Sequence, residues 1–274
     1  MQSKGNAMLG RFWKKSTNKS INKSTNAQPP SAIEFGTDGS IRAIDESAPL
    51  PVSPTFLRRF RQAAALGDAG EHEQALAAYQ QVLAPCEDPN EPREVTLDFL
   101  AGIELRKIYC LIDLKRYEEA KALCESPRMR EADVEQLDMP RLYDYYFCYA
   151  NILGNLGQIP EMDREMTIAM RIAAEHLSDL EKCERAWEAL LKWGKLHQDW
   201  QYLLEQSTAS HHFGVNSGSV YLQWVAGESA FYALRGLNRN EEARRGAQKI
   251  LQRYQAAEVP EKVEEWRLLL QSVE

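Results

Sequence analysis

Ile108-Tyr-Cys-Leu-Ile-Asp-Leu-Lys-Arg-Tyr-Glu-Glu-Ala-Lys-Ala-Leu-Cys124 reads as the end of one amphipathic helix and the whole start of another. Apolar residues recur at steps of three and four on both sides of Leu114-Lys115, which is the only break between them. A turn that short leaves the two helices as antiparallel neighbours. Ala120 follows the acidic pair Glu118-Glu119 and is small enough to let the paired helices approach closely.

The same arrangement returns on both sides. Glu73-Gln-Ala75-Leu and Glu241-Glu-Ala243-Arg repeat the acidic-then-small pattern, and Met162 and Leu203 take the small residue's place in between. Positions 75, 120, 162, 203 and 243 are 45, 42, 41 and 40 residues apart. A period that regular means stacked repeats, none of which buries its own apolar face alone. Apolar periodicity predicts helices over 54–68 and 71–85, 93–113 and 116–126, 140–156 and 159–176, 179–196 and 199–210, and 218–236 and 239–256. A last helix over 260–272, with Pro260 in its first turn, carries Val263, Trp266, Leu269 and Leu270 on one face and reads as a cap. No strand is expected after residue 50.

The residues of these pairs resemble the tetratricopeptide repeat family. The match is carried by Tyr117-Glu-Glu-Ala-Lys-Ala-Leu-Cys124 behind Ile108-Tyr-Cys-Leu111, by Gly70-Glu-His-Glu-Gln-Ala-Leu-Ala-Ala-Tyr79, and by Tyr146, Tyr149, Ala150 and Leu153 with Gly157. Trp187 stands where the family places a first-helix tryptophan. The period departs from the family's, at 40 or more residues against about 34, and the proline that closes each repeat is mostly missing. The expected fold is an all-α, right-handed α-solenoid of about five antiparallel helix pairs plus a C-terminal capping helix, over residues 54–274.

Composition sets the outer limits. Hydrophobic residues are 44% and charged residues 27% of 274, as in ordinary globular chains. No apolar run approaches the roughly 18 to 20 residues of a membrane span, and no secretory leader is expected. Cys86, Cys110, Cys124, Cys148 and Cys183 are widely spaced with no CxxC, which points to free thiols and a cytoplasmic setting. The formal charge of -7 is uneven. Residues 1–50 hold seven basic against four acidic side chains, whereas the remainder holds 26 against 36.

Residues 1–31 are basic and rich in Ser, Asn and Lys, and are expected to be disordered. Within them Phe12, Trp13, Lys14 and Lys15 combine apolar and cationic side chains. They read either as a membrane-surface anchor or as a solvated start. Residues 32–53 read as a β-hairpin around Asp38-Gly39 and a Pro-rich linker. A two-residue loop sets Phe35 opposite Arg42, and a five-residue loop sets it opposite Ile41.

The resemblance implies that the first helix of each pair lines a concave groove for an extended peptide or a partner helix. Counting back from the small-residue positions places Phe60, Leu105, Tyr109, Phe147, Asn151, Asn155, Glu188, Lys192, Lys195, Tyr232 and Arg235 in that groove, with Ala64 and Glu228 in the same rows. The groove is then aromatic at its N-terminal half and of mixed charge at its C-terminal half. Asn151 and Asn155, four apart, read either as donors and acceptors for a peptide backbone or as solvated polar positions. No catalytic motif, metal site or cofactor is expected. His211-His212 is read as a loop after the helix at 199–210, without ligand spacing. The acidic body argues against nucleic acid. Three functions follow: a protein-interaction adaptor, an inhibitor or immunity protein masking a folded basic partner, and a membrane-surface adaptor tethered by the tail. Oligomeric state is not legible.

Overall fold

A computed structural model describes residues 33–35, 41–43, 54–87, 97–126, 129 and 138–273. The chain divides into two units, one through Leu50 and one from Pro51 to Glu274. In the first, β1 (Ile33–Phe35) pairs antiparallel with β2 (Ile41–Ala43), with Phe35 opposite Ile41 and Glu34 opposite Arg42. That is the five-residue-loop register. The tail with Phe12, Trp13, Lys14 and Lys15, the Asp38-Gly39 turn and the Pro-rich linker lie outside the described residues.

The described residues of the second unit form eleven helices. They are α1 (Pro54–Asp68), α2 (His72–Glu87), α3 (Leu97–Asp113), α4 (Tyr117–Cys124), α5 (Met139–Asn155), α6 (Ile159–Arg171), α7 (Leu180–Leu196), α8 (Trp200–Ser217), α9 (Val220–Gly236), α10 (Asn240–Ala256) and α11 (Pro260–Gln271). Successive helices pair as α1 with α2 through α9 with α10, and α11 closes on α10.

One turn makes every pair. The first helix ends on a residue with left-handed backbone: Gly70 (φ 80°), Lys115 (59°), Gly157 (76°), Gln198 (55°), Asn238 (58°) and, before α11, Glu258 (55°). The N–H of the next residue returns to the carbonyl five residues back. These bonds are Glu71 to Leu66, Arg116 to Leu111, Gln158 to Leu153, Asp199 to Gly194, Arg239 to Leu234 and Val259 to Tyr254, at 2.8–3.2 Å. This is the Schellman closure, which satisfies carbonyls the helix end would otherwise leave open. The same residue's carbonyl then accepts the first bond of the next helix, from Ala75, Ala120, Met162, Leu203, Ala243 and Val263. Chain direction, helix start and side-chain phase are therefore set within six residues. The first five of those six donors are 0% exposed.

Repeated geometry also explains the residues that break the small-residue rule. Four positions before each left-handed residue stand Leu66, Leu111, Leu153, Gly194 and Leu234. Where the second helix offers Ala75, Ala120 or Ala243, the first offers leucine. In the fourth pair the sizes are exchanged: Gly194 faces Leu203, and a Cβ on Gly194 would stand 3.2 Å from both Leu203 Cα and Cβ. In this pair the bulky side chain comes from the second helix and the small residue from the first. The third pair keeps Leu153 and takes Met162, a flexible side chain suited to irregular gaps.

Pairs also lock to one another by rings set against glycine. Gly154 on α5 lies under the Trp193 indole of α7, where a Cβ would come within 2.7 Å of the ring. Gly236 at the end of α9 lies as closely under Trp200 at the start of α8. Trp187, Trp193 and Trp266 are all buried.

The α8 helix differs from its sequence reading. It runs to Ser217 instead of stopping near residue 210, so His211 and His212 are helical rather than in a loop. The polar run Ser207-Thr208-Ala-Ser210 looks like a terminus, but Ser207 and Thr208 donate to the Leu203 and Leu204 carbonyls at 2.7 and 2.9 Å. Hydroxyls absorbed into the helix in this way do not end it. The stop comes at Gly218, in left-handed backbone (φ 76°), followed by the Ser219 cap. The α6 helix continues into a π-helical turn, Ile172–Leu177, which ends on left-handed Ser178.

Two predictions follow from this turn and its packing. Lys115→Gly and Gln198→Gly relieve a Cβ in left-handed backbone and should each raise stability by about 0.5–1 kcal/mol in urea unfolding. Gly194→Ala should cost about 1–3 kcal/mol by overpacking and Leu203→Ala about 2–5 kcal/mol by leaving a cavity. The double variant should cost at least about 1 kcal/mol less than the sum. Additive costs would show that the two sites do not share one space.

Candidate functional site

The turn fixes which face of each first helix meets its partner. Seven residues before the left-handed position stand Ala63, Ile108, Ala150, Leu191 and Phe231, all buried. The rows beside it, ten and six residues before, hold the predicted groove residues apart from Asn155, Lys195 and Arg235, which stand two or three residues before the turn. At the N-terminal end these rows lie beneath the surface: Phe60 is 1% exposed and packs on Tyr79, and Leu105 is 4% exposed. Tyr109 is 42% exposed. Its hydroxyl turns inward beside Cys148 and Asp144, and burial raises its pKa. Phe147, Asn151, Asn155, Glu188 and Tyr232 are half-buried, and Lys192, Lys195 and Arg235 are exposed.

From α5 onward this face is built of cations resting on aromatic rings. Lys182 lies 4.5 Å from the Tyr143 centroid and pairs with Asp144 at 3.8 Å. Tyr143 stacks on Phe147, whose ring carries Arg185 at 5.7 Å. Lys192 sits over Trp193 at 4.4 Å, Lys195 over Tyr232 at 3.8 Å, and Arg235 by Phe231 at 5.9 Å. Each such contact contributes about 0.5–1 kcal/mol at an exposed site. Arg185, Lys192, Lys195 and Arg235 form no ion pair among the described residues.

The carboxylates of the face, by contrast, are engaged. Glu188 accepts from the Tyr221 hydroxyl and Glu228 from the Tyr254 hydroxyl. Asp144 faces Lys182 and Arg185, although burial outweighs both cations and holds its pKa above the usual carboxylate value. The surface therefore offers positive charge on α7 and α9, while Glu188 and Glu228 are each held by a neutral tyrosine hydroxyl.

The asparagines divide in role. Asn151 Oδ1 accepts from Trp193 Nε1 at 3.3 Å, and its Nδ2 donates to the Phe147 carbonyl at 2.8 Å. It ties α5 to α7. Asn155 Nδ2 donates to the Asn151 carbonyl at 2.8 Å, which leaves its Oδ1 open among the described residues. His197 completes the α5–α7 contact through a 2.8 Å bond from its ring Nε2 to the Gly154 carbonyl.

At the other edge of α9 a cleft of about 290 Å³ is lined by Val220, Tyr221, Trp224, Val225, Glu228, Tyr254 and Lys262. Apart from Glu228, these residues and Arg185 were missed in the sequence. Their signal was the spacing of Tyr221, Trp224, Val225 and Glu228 along one helical face, but Tyr254 and Lys262 come from other helices. Among the described residues no group of three His, Cys, Asp or Glu is placed to hold a metal, and no helix is long and apolar enough to cross a membrane. Cys110, Cys124, Cys148 and Cys183 are free and buried. Burial pushes the Cys183 thiol up to about 11 and Cys148 to about 12, so neither is a thiolate nucleophile at neutral pH.

Two crystal structures of a Podosopora anserina protein, described as a kinesin light chain with nearly identical TPR-like repeats, are similar to this chain. One is 14% identical, with 75% of this chain and 97% of its own length covered, at a TM-score of 0.50. The other is 13% identical, with 77% and 99% covered, at a TM-score of 0.49. At such identity the likeness concerns the fold alone: the chain is a TPR-like helical repeat protein, an α-solenoid. No family model matches the chain, and no curated protein does.

Asn151→Ala strands the Trp193 N–H and should cost about 1–3 kcal/mol, while Asn155→Ala should change stability by less than about 0.5 kcal/mol. Equal losses in thermal unfolding would show that Asn155 is structural too.

Proposed function

We propose that this chain is a non-enzymatic protein-interaction module that holds a protein or peptide partner across the first-helix face of α3, α5, α7 and α9. The observation that carries the reading is the set of four exposed cations, Arg185, Lys192, Lys195 and Arg235, poised on aromatic rings with no carboxylate at ion-pair distance among the described residues. In a chain of net charge -7 a solvated lysine has acidic neighbours in abundance. Lysines held on rings instead have already lost part of their rotamer freedom, which lowers the ordering cost of binding. The partner presents carboxylates to α7 and α9 and apolar side chains to Tyr109 and Phe147. Free buried thiols fit a reducing, cytoplasmic setting.

A second reading is a stoichiometric inhibitor that masks a folded partner with a basic surface. It is favoured by the 26 basic against 36 acidic residues after residue 50, because such a field speeds association with a basic protein.

Affinity capture with the full chain, at low and moderate salt, tests both. Lys195→Glu with Arg235→Glu should weaken the captured complex at least tenfold, and Lys249→Ala on α10 should leave it unchanged. A complex indifferent to the double substitution but lost as salt rises would move the contact to the acidic surface and favour the inhibitor.

A further inference from the structure

We infer that the cleft between α9, α10 and α11 is a pocket for an organic cation, the guanidinium or ammonium group of an arginine or lysine side chain on the bound partner. This deepens the interaction reading above and rests on it for the source of that side chain.

The pocket's chemistry follows from its walls. Tyr221, Trp224, Val225 and Glu228 share one face of α9, at steps of three and four. Tyr254, near the end of α10, packs directly on Trp224, with its ring at 82° and 4.5 Å between centroids. The two rings meet edge to face, which fixes both beside the Glu228 carboxylate and leaves aromatic wall for a cation to lie against. Tyr221 is 47% exposed and Val220 63% exposed at the mouth, so the aromatic lining is open to an entering chain.

The charge balance points the same way. Glu228 has no cation within ion-pair distance among the described residues. Its hydrogen-bond partner there is the neutral Tyr254 hydroxyl, which orients the carboxylate without cancelling its charge. Lys262, the pocket's one basic wall residue, pairs with Glu265 at 2.9 Å. Glu228 thus shares the field of Lys262 with Glu265 but has no cation in contact with it. A volume of about 290 Å³ takes a side-chain head group and part of its alkyl stem. The cleft joins the first-helix face through Glu228 and through Tyr221, which donates to Glu188. A partner lying on that face reaches the cleft without leaving the surface.

The test uses the full chain and an acetylated, amidated peptide, Gly-Val-Arg-Val-Gly, titrated by calorimetry and by tryptophan fluorescence. A matched peptide with citrulline, of equal shape and no charge, is the control. The arginine peptide should bind at least tenfold more tightly than the citrulline peptide, and Glu228→Gln should remove that difference. Lys262→Met removes a competing ammonium group and should tighten the arginine peptide severalfold. Equal affinity for the two peptides, or weaker binding to the Lys262→Met chain, would overturn the assignment. Tetramethylammonium has charge but no stem, so tighter binding of it than of the peptide would overturn the side-chain source. Glu228→Gln should also weaken partner capture severalfold; capture that is sensitive at Lys195 and Arg235 but unchanged by Glu228→Gln would sink the pocket and leave the interaction reading standing.

Discussion

Everything in the helical unit depends on one backbone constraint, a left-handed residue placed between two helices and closed on both sides by main-chain bonds. The N–H beyond it caps the outgoing helix and the carbonyl beyond it starts the incoming one. With both groups committed, the turn has no freedom to slide, and each second helix begins at the same phase relative to its first. In the five helix pairs the side chain five residues on is buried whatever its identity, which is why Met162 and Leu203 occupy the place of Ala120 without changing the architecture. Glycine would satisfy the backbone most easily, yet Lys115, Gln198, Asn238 and Glu258 hold it. The two bonds and the packing beyond them evidently outweigh about 1–2 kcal/mol of local strain.

Fixed phase is also what makes a functional face possible. A solenoid has no long-range core to correct its course, since each pair touches only its neighbours. Phase errors would accumulate, and residues from different repeats would not line up. Because the turn is repeated, the residues ten and six before it form rows, and one row can trade character along its length. It begins as buried packing at Phe60 and Leu105, exposes a ring edge at Tyr109, and becomes charged at Glu188 and Lys192. Contacts between neighbouring first helices join these rows to the next helix, as Trp193 does at Asn151 and Lys195 at Tyr232.

This separates what was legible in the sequence from what was not. Helix pairing and its period could be read because short turns and recurring small residues are local signals. The exchange of size between Gly194 and Leu203 could not, since its meaning lies in the partner across the contact. The extent of α8 was misread because Ser207 and Thr208 satisfy a local rule for helix ends that their own hydroxyl bonds defeat. Of the predicted groove residues, Lys192, Lys195 and Arg235 stand exposed, whereas Phe60 and Leu105 lie beneath the surface. Position along a helix gives the row, but depth is set by the neighbouring pair. The cleft was missed for a similar reason: Glu228 could be placed on the groove face, but the aromatic walls beside it come from helices separated by a turn.

An acidic protein that keeps a group of cations without ion-pair partners among the described residues on one face, and a carboxylate held by a tyrosine hydroxyl in a nearby cleft, has a local charge pattern more mixed than its overall charge. The two parts act over different ranges. The net field reaches beyond about 8 Å at physiological salt only weakly and governs encounter, so it favours approach by a basic surface. Contact charges act after water has left, where the effective dielectric is lower and a misplaced like charge costs far more. A partner that offers carboxylates to Lys195 and Arg235 and a cation to Glu228 satisfies the surface in one orientation only; reversing it leaves every group against its like. Rings beneath the cations hold them in place before the partner arrives, so the discrimination does not depend on the partner ordering them. On the proposed reading the charges contribute more to selecting and orienting the partner than to raw affinity, with apolar contacts at Tyr109, Phe147 and Trp224 carrying the larger share of binding.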